Sequence, residues 1–260
     1  MGKIECVIFD WAGTVVDYGC FAPVRAFTDV FAQFGMKVTM DEVRKPMGML
    51  KWDHIKTMLE MPRIHSLWLE EYGREPVDED VDRMYQLFEP RLLSILEQYS
   101  SPKPYAVETA EELRRRGIRI GSTTGYTDCM MDIVVKEAAK RGYAPDCWFS
   151  PDSVGSMGRP YPYMIYKNME TLKVLSVHDV IKVGDTVSDI KEGVNAGVRT
   201  VGILEGSSLL GLSEEEYGNL TKEMKEQALE QARQEYLEAG ADYVIRDIRG
   251  ILEVLDALAL

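Results

Sequence analysis

The chain has 260 residues, with 43 acidic side chains against 30 basic ones and a net charge of -13 at pH 7. That balance, with no basic cluster to offset it, excludes a general nucleic-acid binder and requires any anionic ligand to be met by a local electropositive pocket or a metal. A hydrophobic content of 45% with 28% charged residues fits a folded chain long enough for an α/β core and a second, smaller unit.

The first element is the short apolar run from Ile4 to Phe9, rich in β-branched and aromatic residues, as a strand buried on both faces needs. It stops at Asp10 and turns at Gly13. A carboxylate at the end of a buried strand is costly without partners, and ligands of open α/β sheets bind outside the carboxyl ends of the strands. Asp10 is therefore the first candidate for chemistry, with a turn-forming Asp as the plain alternative. From Cys20 to about Tyr99 helical spacing takes over. Val24, Phe27, Val30, Phe31 and Phe34 make one apolar face ended by Gly35. Val43 to Leu59 is a second helical segment, with Pro46 and Gly48 in its first turns. Helices are expected over Ile64–Tyr72 and Val81–Leu96, the latter with Met84, Leu87, Phe88, Leu92 and Ile95 on one stripe. Ser100-Ser101-Pro102-Lys103-Pro104 then punctuates the chain.

The α/β pattern resumes with a helix over Ala106–Arg116 and a strand from Ile118 running into Ser122-Thr123-Thr124. Met130–Arg141 reads as a helix, Cys147-Trp148-Phe149 as a short strand, and Tyr163–Leu172 as a helix. A strand over Val180–Asp185, a helix over Ile190–Ala196 and a strand over Thr200–Ile203 follow. Ser207–Leu212 is a loop, and Ser213-x-x-Glu216 has the form of a capping box. Thr221–Glu238 reads as an amphipathic helix with Met224, Ala228, Ala232 and Tyr236 at fourfold spacing. Tyr243–Ile245 is a last edge strand and Ile251–Leu258 a closing helix. This alternation predicts an α/β fold: a doubly wound, mostly parallel, Rossmann-like sheet with an inserted α-helical unit. The core is expected over residues 1–19 and 100–260, and the helical insertion over 20–99.

Cys6, Cys20, Cys129 and Cys147 are scattered and include no CxxC pair, so free thiols in a reducing compartment are expected in preference to zinc or disulfides. There is no signal-peptide pattern, no apolar run approaches ~18 residues, and Met1-Gly2 lacks the Ser or Thr at position 6 of a myristoylation signal. A cytoplasmic location, with no membrane partner, is the expectation.

Four strand ends or adjoining turns carry complementary polar groups: Asp10, then Thr124 with Gly125, then Arg159 in MGRPYP, then Asp185 with Asp189 in KVGDTVSD. Each is weak alone. In this order on an α/β chain they compose a phosphoryl-transfer site. Asp10 can be a nucleophile, Asp10 with Asp185 can hold Mg²⁺ through hard oxygens, and Thr124 and Arg159 can hold phosphoryl oxygens.

The succession DWAGT, STTGYT, GRPYP, GDTVSD resembles the haloacid dehalogenase superfamily of Mg²⁺-dependent phosphotransferases, with the helical segment where that superfamily places its cap domain. The resemblance also places the backbone carbonyl of Ala12 on the metal. Phosphatases and mutases of the superfamily usually read DxDxT, the second Asp serving as general acid/base; here that position is Ala12. Together with KPMGMLKWDH (Lys45–His54), the motifs closely resemble the phosphonoacetaldehyde hydrolase family, whose cap lysine forms a Schiff base with the substrate aldehyde. The matching position is Lys51, and the resemblance implies a role near the Schiff base for Met47 and a homodimer joined through cap helices.

The chemistry accounts for both departures together. A carbon–phosphorus bond has no leaving oxygen to protonate, and an iminium on Lys51 supplies an electron sink for the departing carbon. His54, three residues on, shares a helical face with Lys51 and is a candidate proton carrier; a helix-surface or satisfied polar histidine is its plain alternative. Met47 reads equally as cap core. Asp189 is expected to support the site without ligating the metal. A capped phosphatase or mutase working without the second Asp is the rival enzyme, and a non-catalytic phospholigand sensor the rival of another class.

Overall fold

The computed structural model describes residues 3–259; Met1 and Gly2, where a lipidation signal was sought, lie outside them. Five strands form one sheet in the order β2-β1-β3-β4-β5: β1 (Cys6–Phe9), β2 (Arg119–Ser122), β3 (Val180–Gly184), β4 (Arg199–Ile203) and β5 (Tyr243–Ile245). All four pairings are parallel. The chain runs outward from β1 to β2 and then crosses back to β3 on the other side of β1. The crevice at that reversal, beyond the carboxyl ends of β1 and β3, is where ligands of such sheets bind.

After β1 the helical segment makes five α-helices, α1 (Phe21–Gln33), α2 (Met40–Arg44), α3 (Lys51–Leu59), α4 (Pro62–Tyr72) and α5 (Asp78–Leu96). The rest are α6 (Ala106–Arg115), α7 (Asp128–Lys140), α8 (Tyr163–Leu172), α9 (Val187–Ala196), α10 (Glu214–Asn219), α11 (Lys222–Ala239) and α12 (Gly250–Leu258). Strand alternation sends Val7 and Phe9 to one face of the sheet, in a core shared with α6, α7 and α12, and Cys6 and Ile8 to the other, under α8 and α9. Helices on both faces explain why β1 is apolar throughout. The outer helix α11 packs Leu229, Ala232 and Tyr236 against Ile190 of α9.

In the helical segment Phe27 of α1 stacks on Phe88 of α5 at 4.2 Å between ring centroids and on His54 of α3 at 3.9 Å. Full burial of a Phe side chain contributes roughly 2–3 kcal/mol, so this stack is a principal bond among the three helices. The Asp17 carboxylate accepts from the backbone N–H groups of Phe21 (3.0 Å) and Ala22 (2.9 Å), which otherwise have no partner at the start of α1. Among the described residues no helix is long and apolar enough to cross a membrane.

Four details depart from the sequence-based expectation. Val43–Leu59 is two helices, α2 and α3, because Pro46 and Gly48 (φ +87°) divert the chain between them. Leu87 is 43% exposed: it lies off the stripe that Met84, Phe88, Leu92 and Ile95 bury. Met224 is likewise exposed, and the buried stripe of α11 starts at Leu229. Cys147–Phe149 makes only an isolated bridge, Thr123 to Phe149.

That last segment nonetheless closes the outer edge of β2. The N–H of Asp146 donates to Ile120 O at 2.8 Å and that of Phe149 to Ser122 O at 3.0 Å. Asn168 of α8, fully buried, completes the edge: its Oδ1 accepts from Ser122 N and its Nδ2 donates to Ser122 O, both at 2.9 Å. Gly121 permits this approach, since a Cβ there would lie 2.4 Å from Asn168 Oδ1. Asn168→Ala should therefore leave a buried donor and acceptor unpaired beside the site loop and lower stability by roughly 2–4 kcal/mol in urea melts; a loss below about 0.5 kcal/mol would show that water or a neighbour takes over both bonds.

Candidate active site

The N–H of Asp10 donates to Val183 O at 2.9 Å, extending the β1–β3 ladder by one residue. Adjacent parallel strands in that register bring Asp10 and Asp185 side by side at their carboxyl ends, and Asp189 joins them from the first turn of α9. One carboxylate oxygen from each lies within 4.8 Å of the others, and all three residues are buried.

Asp189 is already engaged. Its Oδ1 lies 3.0 Å from Arg159 Nη2 and 2.8 Å from Lys182 Nζ, and its Oδ2 accepts from Thr186 Oγ1 at 2.5 Å. Burial opposes its charge, but Arg159 and Lys182 more than offset that and hold it below the usual carboxylate range. Asp185 is held by neutral donors: Thr14 Oγ1 at 3.1 Å on Oδ1 and the N–H of Ser208 at 2.8 Å on Oδ2. Burial, with Asp10 and then Asp189 nearby, pushes its carboxyl up to about 7. Gly13, at φ +89°, passes so close that a Cβ would sit 2.1 Å from Asp185 Oδ2. Two buried carboxylates, one of them without a cation of its own, form a hard oxygen donor set that fits a divalent ion. Asp10 and Asp185 would hold it, while Asp189 faces the cations.

Arg159 is the other centre of charge. Its Nη2 donates to Asp10 Oδ1 at 2.7 Å and to Thr123 Oγ1 at 2.9 Å, and its Nε to Glu192 Oε2 at 3.0 Å. Burial opposes the guanidinium charge, but Asp189, Asp10 and Glu192 together keep it above its ordinary value. Beneath it Lys182, fully buried in β3, donates to Thr123 Oγ1 at 2.9 Å. Arg159 is thus fixed with its fork beside the nucleophile candidate.

The helical segment supplies the opposite wall. Lys51, the first residue of α3, is 3% exposed and opens with Met47, Ala12, Asp10, Thr124 and Arg159 on one small cavity of about 20 Å³. Burial depresses the affinity of its amine for a proton, and Nζ lies 5.3 Å from the centroid of the Tyr126 ring. His54 lies one turn along α3, behind Lys51, and does not line the cavity. Its Nε2 is 2.8 Å from Val43 O; a carbonyl only accepts, so that nitrogen carries the proton and Nδ1 keeps a free lone pair. Burial, then the neighbouring Lys51, pushes the imidazole well below its usual range. Among the described residues Nδ1 has no hydrogen-bond partner.

The two walls meet through glycines. A Cβ on Gly125 would lie 3.0 Å from Gly48 O and 3.1 Å from Met49 O. On Gly48 (φ +87°) it would lie 2.4 Å from Thr186 Oγ1. Arg44 fastens the same region, donating to Gly19 O at 2.7 Å and to Ser208 O and Gly211 O, each at 3.2 Å.

The structure thus gathers Asp10, Ala12, Met47, Lys51, Thr124, Gly125 and Arg159 around one cavity, with Asp185 and Asp189 beside Asp10 and His54 behind Lys51. Sequence reasoning missed Thr14, Thr123, Lys182, Glu192 and Ser208. Lys182 carried a usable signal, a lone charge within the apolar strand Val180–Gly184; Glu192, one turn after Asp189, carried a weaker one.

A family model for haloacid dehalogenase-like hydrolases matches residues 4–197, and a second HAD-hydrolase-like model matches residues 156–249. The phosphonoacetaldehyde hydrolase of Lysinibacillus sphaericus is 52% identical over 96% of this chain and 93% of its own length. The bifunctional phosphonoacetaldehyde hydrolase/aminoethylphosphonate transaminase of Clostridioides difficile is 51% identical over 97% of this chain, which spans 40% of that longer protein. The crystal structure of a phosphonoacetaldehyde hydrolase-like protein from Oleispira antarctica superposes with a TM-score of 0.96 at 37% identity, over 99% of this chain and 93% of that one. The chain belongs to the phosphonoacetaldehyde hydrolase family of haloacid dehalogenase-like hydrolases.

Proposed function

We propose that the chain hydrolyses the carbon–phosphorus bond of phosphonoacetaldehyde to acetaldehyde and phosphate, through a Schiff base on Lys51 and an aspartyl-phosphate on Asp10, with Mg²⁺ held by Asp10, Asp185 and the Ala12 carbonyl. The observation that carries the reading is the enclosure of Lys51, buried and depressed in proton affinity, in one cavity with Asp10, Thr124 and Arg159.

Bound Mg²⁺ would neutralise charge on the phosphoryl oxygens and between the two carboxylates. Lysine is a poor nucleophile while protonated, and burial frees the amine. Lys51 Nζ adds to the aldehyde, water leaves, and an iminium forms. An Asp10 carboxylate oxygen then attacks phosphorus. The electrons of the carbon–phosphorus bond move into the iminium to give an enamine, so no free carbanion is needed. Protonation of the enamine carbon and addition of water release acetaldehyde from Lys51, and a second water releases phosphate from Asp10. Arg159, fixed by Glu192 and Asp189, presents its fork to phosphoryl oxygens, and Thr124 adds a hydroxyl. His54 Nδ1 is a base of suitable protonation state for proton transfers around Lys51. Met47, 5% exposed, keeps the imine's surroundings apolar.

In this reading residues 20–99 are a cap and residues 1–19 and 100–260 a core, and the site is complete only when they meet. The protein acts in the cytoplasm, in keeping with its four free cysteines. It pairs as a homodimer through the cap, where Leu69, Tyr72 and Leu87 are exposed.

Borohydride added with phosphonoacetaldehyde should inactivate the enzyme and label the peptide containing Lys51, not Lys45. Lys51→Arg, a guanidinium with pKa above ~12, should lose roughly 10³-fold or more in kcat while staying folded. Substantial activity in that variant, with no trapped adduct, would move the protein to the rival phosphatase reading.

The metal site makes a separate prediction. Without metal the folded Asp185 carboxyl titrates at about 7, whereas in the unfolded chain it titrates near ~3.9. Between those values the folded form holds a proton that the unfolded form has lost, so stability falls as pH rises. Thermal melts in EDTA should show this fall from pH 5 to 7 in the wild type, a flatter profile in Asp185→Asn, and recovery on adding Mg²⁺ to the wild type alone. Equal slopes in the two proteins would refute the assignment.

A further inference from the structure

Two connections join the helical segment to the sheet, residues 10–20 and 97–105, and they lie against each other. Val16 bridges Pro102, and the N–H of Lys103 donates to Val15 O at 2.8 Å. At this crossing the Lys103 side chain is buried. Its ammonium donates to the carbonyl oxygens of Gly13 and, at 2.8 Å, Glu205, with the Tyr18 ring centroid 5.4 Å away. Burying an ammonium on backbone carbonyls is costly, so the position of those carbonyls matters. They belong to the two loops that grip Asp185. Thr14, next to Gly13, donates to one carboxylate oxygen, and Ser208, three residues after Glu205, donates to the other. Gly206 completes the fit: a Cβ there would lie 2.7 Å from Lys103 Cε and 2.8 Å from Nζ. The Gly206 carbonyl in turn accepts from Gly19 N at 2.8 Å, which ties the same loop to the first connection.

We propose that Lys103 is a positioning residue for the reaction: its ammonium fastens the Gly13 turn to the 205–208 loop and so holds the Asp185 carboxylate between Thr14 and Ser208, in place beside Asp10. Lys103 lies behind the metal carboxylates and lines none of the Lys51 cavity. The inference rests on the assignment of Asp10 and Asp185 as the metal ligands.

Lys103→Met keeps the stem and removes the ammonium. Calorimetric titration with Mg²⁺ alone should show affinity weakened about tenfold or more, the scale of losing a group that orients a metal ligand. The fall in kcat should be comparable, with KM for phosphonoacetaldehyde changed by less than about threefold because Lys51 and Thr124 are untouched. Mg²⁺ affinity and kcat within about twofold of wild type in the folded variant would overturn the proposal. Gly206→Ala approaches the same contact from the other side: at φ +71° its Cβ would press on Lys103 Cε and Nζ and on Tyr18 Cδ2, displacing the ammonium without deleting it. It should weaken Mg²⁺ binding in the same direction, and full affinity there would overturn the proposal even where Lys103→Met fails to fold. Calorimetry needs no substrate, so a wild-type chain that binds Mg²⁺ but releases no acetaldehyde would unseat the substrate assignment and leave this inference standing.

Discussion

Two carboxyl groups buried side by side, which cannot both ionise cheaply, are the constraint that the rest of this site answers. The parallel ladder between β1 and β3 forces Asp10 and Asp185 together, and at such separations in a poorly solvated interior like charges repel by several kcal/mol. The surrounding groups either share that charge or hold the backbone while it is borne. Arg159 takes part of Asp10, Thr14 and Ser208 hold Asp185 in place, and Lys182 with Arg159 neutralises Asp189 and Glu192 one layer deeper. A divalent ion is the natural remaining partner for this pair of carboxylates.

The deeper layer is expensive. Buried ion pairs rarely add net stability over well-packed apolar residues, whereas removing one partner alone leaves an uncompensated charge. Their return here is geometric: Arg159, gripped at Nε by Glu192 and at Nη2 by Asp10, Thr123 and Asp189, has one orientation. The apolar interior elsewhere carries the cost. Both sheet faces are covered, and the Phe27, Phe88 and His54 stack consolidates the helical segment that carries Lys51.

Much of this was legible in the sequence because it rests on short-range patterns. Strand ends followed by Asp10, Thr124 and Asp185 mark the sheet crevice, and helical spacing marks the insertion between β1 and β2. The position of Ala12 and the segment Lys45–His54 pointed to the family before any coordinates. What escaped depends on partners distant in the chain. Nothing near Lys182 in sequence says that its ammonium meets Thr123 and Asp189. The contact between Lys103 and Gly13 spans ninety positions, and only the meeting of two loops gives it meaning. The expected helix over Val43–Leu59 failed for a local reason, since Pro46 and Gly48 weighed less in the reading than the apolar positions around them. Cys147–Phe149 has a strand's composition, but apart from its bridge it serves to satisfy the open edge of β2.

The glycine-lined meeting of Gly48 with Gly125 and Thr186 has a consequence for traffic. A cavity of about 20 Å³ holds on the order of one water molecule, far less than a phosphonate needs, so a bound substrate requires its walls to stand further apart than they do here. At that seam Gly125 lies against the backbone of Gly48 and Met49 and Gly48 against the Thr186 side chain, while the Arg44 bonds to Gly19, Ser208 and Gly211 tether the two sides close by. A site built at such a seam would work as an airlock, open to its cargo and solvent at one stage and closed around nearly dry chemistry at another. Its throughput is then bounded by how often the door swings as well as by the speed of bond cleavage behind it.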